Sequence, residues 1–270
     1  MNNNNIKELS IQVNLNGLSF CILNRTSNTV EFLNTIEFIS KLTPFDVLNR
    51  LKTELSASSR FFDNFDAVNV IHQNELSTLV PKDLYDENQK ANYLKFNAKI
   101  LKTDFITQDE LEINNSINVY IPYVNINNYI FETFGEFTYK HSSTILIQTI
   151  LEKEKDHSEV APKVFVHVNP STIEVLVLER GQLQLFNVFE YQSKEDFIYY
   201  ILFVFEQLSL DVETTLINLC GRIKENDELY HQLYTYVRHI KILDNTFGYK
   251  YPEITNSEDI HYHYLILNSF

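Results

Sequence analysis

A chain of 270 residues buries about three quarters of the surface its unfolded form would expose, so it needs no disulfide or metal staple, and the length suits one large domain or two ordinary ones. The composition is 44% hydrophobic and 21% charged, with 16 Tyr and 20 Phe, which argues against a disordered chain. With 36 acidic residues against 22 basic ones the formal charge is -14, and a surface that acidic repels phosphate backbones and anionic headgroups, so nucleic acid is disfavoured as a partner.

In chain order, Met1 to Asn5 is polar and asparagine-rich. It has neither a basic nor an apolar signal region behind it, so residues 1–8 are expected to be a disordered N-terminus and the cytoplasm is the expected compartment. Leu9, Ile11, Val13 and Leu15 alternate with polar residues, which predicts a strand with one buried face. Asn16-Gly17 is expected to supply a turn through positive φ, Leu18 to Leu23 the returning strand, and Thr29 to Phe38 a third strand after Ser27-Asn28. Thr43, Pro44 and Asp46 then start a helix whose apolar stripe is Leu48, Leu51 and Leu55. Phe65 to Ile71 reads as a strand and Asp86 to Phe96 as a helix, followed by strands at Ile100 to Ile106 and Ile117 to Tyr123. Between the halves, Ser142 to Lys155 forms an amphipathic helix, and Glu159 to Pro162 reads as the hinge.

From Lys163 the same order returns. Val164, Val166 and Val168 alternate into Asn169-Pro170-Ser171, Ile173 to Leu178 comes back, Arg180-Gly181 turns, and Leu183 to Phe189 follows. Ser193 and Asp196 repeat the Thr43 and Asp46 cap, at the head of a helix running to about Leu208. Thr215 to Leu219 predicts a strand, Asp227 to Tyr236 a helix, and His239 to Leu243 and Tyr262 to Leu267 two more strands. The apolar run Phe197 to Phe205 falls well short of the ~20 residues that span a bilayer, so no membrane segment is expected. Three strands, helix, strand, helix, strand, strand in both passes point to an internally duplicated α/β protein, with a first lobe over 9–158 and a second over 163–270.

Two consecutive ribonuclease-H-like units of this kind resemble the actin-like ATPase fold shared by actin, sugar kinases and heat-shock ATPases. The opening ELSIQVNLNGLSFCILN, the stretch Lys163 to Leu185 and LINLCGR resemble an uncharacterised Bacteroidetes family, domain of unknown function 3822, that adopts that fold. In such ATPases two β-hairpins at the inter-lobe cleft carry an Asp and glycines, whose N–H groups cradle phosphates while the carboxylate holds Mg²⁺ through water. The resemblance therefore marks Asn14, Asn16, Gly17, Asn169, Ser171, Thr172, Gly221 and Arg222 as the candidate cleft. Neither Asn14 to Ser19 nor Asn169 to Thr172 contains an acid, and Pro170 has no N–H to offer.

No catalytic residue is assigned. Five glycines leave little room for a phosphate loop elsewhere, and no P-loop, dinucleotide fingerprint or nucleophile elbow occurs. His261 and His263, on one face of the expected strand with Glu258 or Asp259 nearby, are better explained as ordinary histidines than as a metal pair. His167 reads as a satisfied, partly buried histidine and His157 as a solvated one; Asp104 and Asp109-Glu110 read as a charged loop. Cys21 and Cys220 read as small buried hydrophobes. Two tyrosine-rich clusters, Tyr120 to Phe134 and Tyr230 to Tyr236, would suit a protein interface if exposed and the core if buried. The expectation is a non-catalytic protein-binding or scaffold protein, with an unidentified protein partner or self-association and no cofactor. The alternative is a nucleotide-binding protein or weak ATPase or kinase-like enzyme that takes ATP with Mg in the cleft.

Overall fold

The computed structural model describes residues 5–96, 98–156, 161–243, 248–251 and 257–270, with 257–259 described by backbone alone. Met1 to Asn4, His157, the Glu159-Val160 half of the expected hinge and the side chains of Glu258 and Asp259 lie outside the described residues.

The chain opens as an antiparallel meander of β1 (Lys7–Asn14), β2 (Gly17–Asn24) and β3 (Thr29–Glu37), then forms α1 (Pro44–Ala57) and β4 (Ala67–His72). Next come β5 (Ser77–Pro81), α2 (Lys90–Leu94), β6 (Thr107–Leu111) and β7 (Ser116–Tyr120), which make a separate antiparallel sheet in the order β5-β7-β6. α3 (Val124–Phe134) leads to β8 (Thr138–His141), which completes a mixed sheet β3-β2-β1-β4-β8. After α4 (Ser142–Glu154) the pattern recurs as β9 (Lys163–Val168), β10 (Thr172–Glu179), β11 (Gln182–Glu190), α5 (Lys194–Gln207), β12 (Leu216–Gly221), α6 (Glu228–Tyr236) and β13 (His239–Ile242). These strands form a second mixed sheet, β11-β10-β9-β12-β13. A 3₁₀ segment, Ser257–His263, and the short α7 (Tyr264–Leu267) follow.

The two mixed sheets agree beyond strand order. In each, the meander is antiparallel and the next two strands run parallel to its first strand. Each also carries a register shift at the same place, between Ile22 and Leu23 in β2 and between Val177 and Leu178 in β10. An extra residue there bends the edge pairing and adds twist, so this match in irregularity is more telling than the match in regular pairing.

Alternation sets the cores. Leu9, Ile11 and Val13 of β1 pack with Val47, Leu51 and Leu55 of α1 and with Ile126 and Ile130 of α3. Val164, Val166 and Val168 of β9 pack with Phe197, Ile201 and Phe205 of α5 and Leu233 of α6. The three-stranded sheet has its own small core of Val80, Leu94, Ile117, Val119 and Ile121.

Both long helices start as their sequences indicate. Thr43 Oγ1 accepts the Asp46 N–H at 3.2 Å. At α5 the box is complete: Ser193 Oγ accepts the Asp196 N–H and Asp196 Oδ2 accepts the Ser193 N–H, both at 3.1 Å. The Gln192 and Ser193 donors hold the Asp196 carboxyl below the usual carboxylate range. Ser193→Ala removes half of this box and is expected to lower the unfolding free energy by about 1 kcal/mol, read from the urea midpoint.

Several elements differ from the sequence expectation, each for a local reason. Ile100 to Ile106 is not a strand: the Asp104 side chain accepts the Leu101 N–H at 2.7 Å and closes a turn, and Leu101 and Phe105 are 62% and 54% exposed instead of alternating into a core. The strand lies just beyond, in β6, so Asp109 and Glu110 are strand residues and not a loop. The Asp86 to Phe96 helix reduces to a capped 3₁₀ turn followed by the five-residue α2. Tyr262 to Leu267 is helical; Tyr264, Leu265, Ile266 and Leu267 are all buried, which a half-exposed strand does not allow. β5 and β8 lie in stretches with no predicted element.

The chain divides into two compact units, one of Met1–Leu146, Thr246–Asn256 and Leu265–Phe270, the other of Ile147–Asn245 and Ser257–Tyr264. Among the described residues no helix is long and apolar enough to cross a membrane.

Candidate functional site

In the first unit Asn14, Asn16 and Gly17 meet at the β1–β2 hairpin. The two-residue loop is Leu15-Asn16, closed by Asn14 opposite Gly17, so Gly17 is a strand residue. Neither Asn16 nor Gly17 has positive φ, contrary to the turn expected there. Gly17 is needed for a different reason: a Cβ on it would sit 2.5 Å from the Ile36 carbonyl oxygen of β3. Asn14 Oδ1 accepts the Asn16 N–H at 2.7 Å, and Asn14 Nδ2 donates to Gln73 Oε1 at 2.9 Å. The same Gln73 oxygen accepts from Gln12 Nε2 at 2.8 Å. The hairpin end is thus a network of neutral amides.

In the second unit Asn169, Ser171, Thr172, Gly221 and Arg222 gather at the ends of β9 and β12. The Asn169 N–H donates to the Thr172 carbonyl at 2.9 Å and the Arg222 N–H to the Val168 carbonyl at 2.7 Å. Tyr191 clamps the turn, its hydroxyl donating to the Asn169 carbonyl at 2.6 Å and its N–H to the Ser171 carbonyl at 3.0 Å. Gly221 sits at φ +84°, and a Cβ there would overlap the Val168 carbonyl oxygen and approach His167 Cδ2 to 2.9 Å. The Arg222 guanidinium lies over the Tyr262 ring at 5.4 Å, beside Lys224 at 5.1 Å from the same ring.

Strand register reveals a row that one-dimensional reading missed. Glu174 of β10, His167 of β9 and Cys220 of β12 are direct neighbours across the sheet. All three are buried, and His167 Nδ1 lies 2.7 Å from Glu174 Oε2. His167 is therefore fully buried and paired, more enclosed than its sequence suggests. The signal was present: in a hairpin centred on Pro170-Ser171, residues equidistant from the turn pair, and 167 faces 174. Burial pushes the thiols of Cys21 and Cys220 up, so both are protonated hydrophobes, not nucleophiles.

The first unit holds a further polar group, part-buried around Asp109. The Asp109 carboxylate accepts from Tyr120 Oη at 3.0 Å, the His141 N–H at 2.8 Å and Thr144 Oγ1 at 2.7 Å. Burial raises its pKa, and these donors oppose the rise. His72, opposite His141 in the β4–β8 pairing, accepts the Tyr123 N–H at Nδ1 over 3.3 Å, and its Nε2 lies 2.8 Å from Asn127 Oδ1. An imidazole accepting at Nδ1 and donating at Nε2 is neutral, and burial pushes its pKa down to about 3. His261 Nε2 lies 2.8 Å from the Ile223 carbonyl, and His261 and His263 belong to the 3₁₀ segment, so the metal pair on a strand does not form. Among the described residues no three His, Cys, Asp or Glu side chains are grouped to hold a metal.

A meander, a capped helix and two further parallel strands, given twice, define an actin-like ATPase fold. The chain belongs to the family described as protein of unknown function (DUF3822), whose model matches residues 1–240. Its structure is similar to that of a Bacteroides thetaiotaomicron VPI-5482 protein with actin-like ATPase fold and unknown function, at 25% identity over 88% of this chain and 90% of that chain, TM-score 0.78. It is also similar to a chain of the PilM-PilN type IV pilus biogenesis complex (9% identity, 97% of each chain, TM-score 0.64). The ethanolamine utilization protein EutJ from Carboxydothermus hydrogenoformans follows (6% identity, 97% of this chain and 88% of that chain, TM-score 0.51). No curated protein matches the sequence.

Proposed function

We propose that this protein is a non-catalytic protein-binding or scaffold protein on an actin-like ATPase frame. One observation carries the reading: main-chain donors that a phosphate would need are spent within the hairpin turns or on the neighbouring strand. The Asn16 N–H goes to Asn14, the Asn169 N–H to Thr172 and the Arg222 N–H to Val168, and Pro170 has none. Asn14 brings an amide already bonded to Gln73 where a Mg²⁺-triphosphate site wants a carboxylate. A protein of this fold stands in a complex with another protein in type IV pilus biogenesis, a precedent for the fold in such a role.

The test is a thermal melt of the full chain with millimolar ATP or ADP, with and without Mg²⁺. A ligand at a hundred times its Kd stabilises the native state by about 2.7 kcal/mol, an easily read rise in Tm. The expected result is an unchanged Tm. A rise that needs Mg²⁺ would overturn the proposal in favour of a nucleotide-binding protein using Asn14, Asn16, Gly17, Asn169, Ser171, Thr172, Gly221 and Arg222.

A further inference from the structure

The two mixed sheets provide an internal control for surface composition. Stepping 150 residues along the chain superimposes the α1 cap on the α5 cap, Thr43 on Ser193 and Asp46 on Asp196. The core positions follow: Val47, Leu51 and Leu55 match Phe197, Ile201 and Phe205, and all six are buried. The solvent positions do not follow. Asn49 and Thr53 on the exposed face of α1 become Tyr199 and Phe203 on α5. These are 61% and 38% exposed, and their rings stack at 6.3 Å. α1 exposes a ring only in its first turn, at Phe45.

The next helix exposes aromatic rings as well. α5 and α6 bury their inner residues in the same core, on one side of the same sheet, and they pack together. Their outer faces therefore share one surface. On α6, Tyr234 is 55% exposed and stacks on Tyr230 at 6.3 Å. Large rings held in stacked pairs on a rigid helix lose little freedom when covered, and such residues dominate binding energy at protein interfaces.

Charge selects the occupant. Along α5 the rings lie between Glu195 and Glu206, at helical spacings of four, four and three that put all four side chains on one face. Both glutamates are exposed, and neither enters an ion pair among the described residues. At the N-terminal edge Glu228 is 4.0 Å from Lys194 and 87% exposed at its side chain. A second copy docking by this face would bring glutamates against glutamates in a chain of net charge -14. Lysine or arginine would instead find unpaired carboxylates at the rim and ring faces for cation–π contact between them.

We propose that the outer face of α5 and α6 is a docking surface for a basic, amphipathic segment of another protein, with Tyr199 and Phe203 as anchors and Glu195 and Glu206 as its charged rim. This rests on the protein-binding reading above and names the partner's chemistry.

The experiment titrates the full chain into a labelled synthetic helical peptide with Leu on one face and Lys on the other, using a Glu-for-Lys version as the control. Wild type is expected to bind the Lys peptide at least about tenfold more tightly than Tyr199→Ser/Phe203→Ser, with that variant's Tm unchanged. Glu195→Gln/Glu206→Gln is expected to weaken binding and flatten its salt dependence while keeping the rings. Equal affinity of wild type and the Tyr199/Phe203 variant, equal binding of the two peptides, or no binding by wild type overturns the proposal. So does sedimentation showing a wild-type dimer that the Tyr199/Phe203 variant dissolves, which would give the face to a second copy. A Tm raised by Mg²⁺-ATP alongside the tenfold loss would remove the non-catalytic reading and leave this surface standing.

Discussion

Between pH 7.0 and pH 4.5 the wild type is expected to lose on the order of 2 kcal/mol more unfolding free energy than His72→Gln loses over the same interval. His72 is fully buried, and burial, with His141 adding repulsion, lowers its folded pKa to about 3 from an ordinary 6.5. The sign follows from the proton count. Below pH 6.5 the unfolded chain takes up a proton that the folded chain refuses until about pH 3, so stability is fully present above 6.5 and drains as the pH falls. Within that window the slope approaches about 1.4 kcal/mol per pH unit for one group. Tyr123 donates to one ring nitrogen and Asn127 holds the other, so a second ring proton would point at a donor.

Asp109 works in the opposite direction. Its folded pKa is raised above 3.8 by burial, so between 3.8 and that raised value the folded chain holds the extra proton and acidification favours folding. Wild type and variant share Asp109, and its contribution cancels in their difference. Urea titrations at pH 7.0, 5.5 and 4.5 make the comparison. Parallel pH profiles for the two proteins would show that His72 is not the group responsible.

Gly221→Ala is expected to cost about 3 kcal/mol or more, adding left-handed strain of about 1–2 kcal/mol to an overpacking cost of similar size. Gly181→Ala provides the control. Gly181 also has positive φ, +72°, but nothing lies within 4 Å of an added Cβ, whereas at Gly221 it would overlap the Val168 carbonyl and approach the Val168 nitrogen to 3.0 Å. Gly181→Ala should therefore show the strain alone. The β9 and β12 backbones can separate only by breaking the Arg222 N–H to Val168 bond, and His167 beside them is held by Glu174. Equal midpoint shifts for the two variants in chemical denaturation would mean that strand approach at Gly221 is not the constraint.

Most of the fold was legible because it is written in local terms. Leu9, Ile11 and Val13 alternate, Thr43 with Asp46 and Ser193 with Asp196 cap, Arg180-Gly181 takes two positive φ values, and each depends on neighbours a few residues away. Misreadings fall where one tertiary fact overrides the local pattern. Asn16-Gly17 looks like a turn, yet Gly17 answers to the Ile36 carbonyl on another strand. Asp109-Glu110 looks like a solvated loop, yet Asp109 is enclosed by Tyr120, His141 and Thr144. Tyr262 to Leu267 looks like a strand, yet its last four residues are buried on all sides as helix.

Periodicity and capping chemistry alone determined the two meanders and the two capped helices, and the letters alone showed no acid in the hairpin turns, because hydrogen-bond geometry and side-chain period act within a few residues. Only the tertiary structure decided where the hairpin amides point, that Glu174, His167 and Cys220 share a buried row, and that Tyr199 and Phe203 face outward where α1 shows Asn49 and Thr53. Burial and pairing across strands are properties of three-dimensional neighbours, and residues of one type carry the same letter whether they fill a core or line a surface.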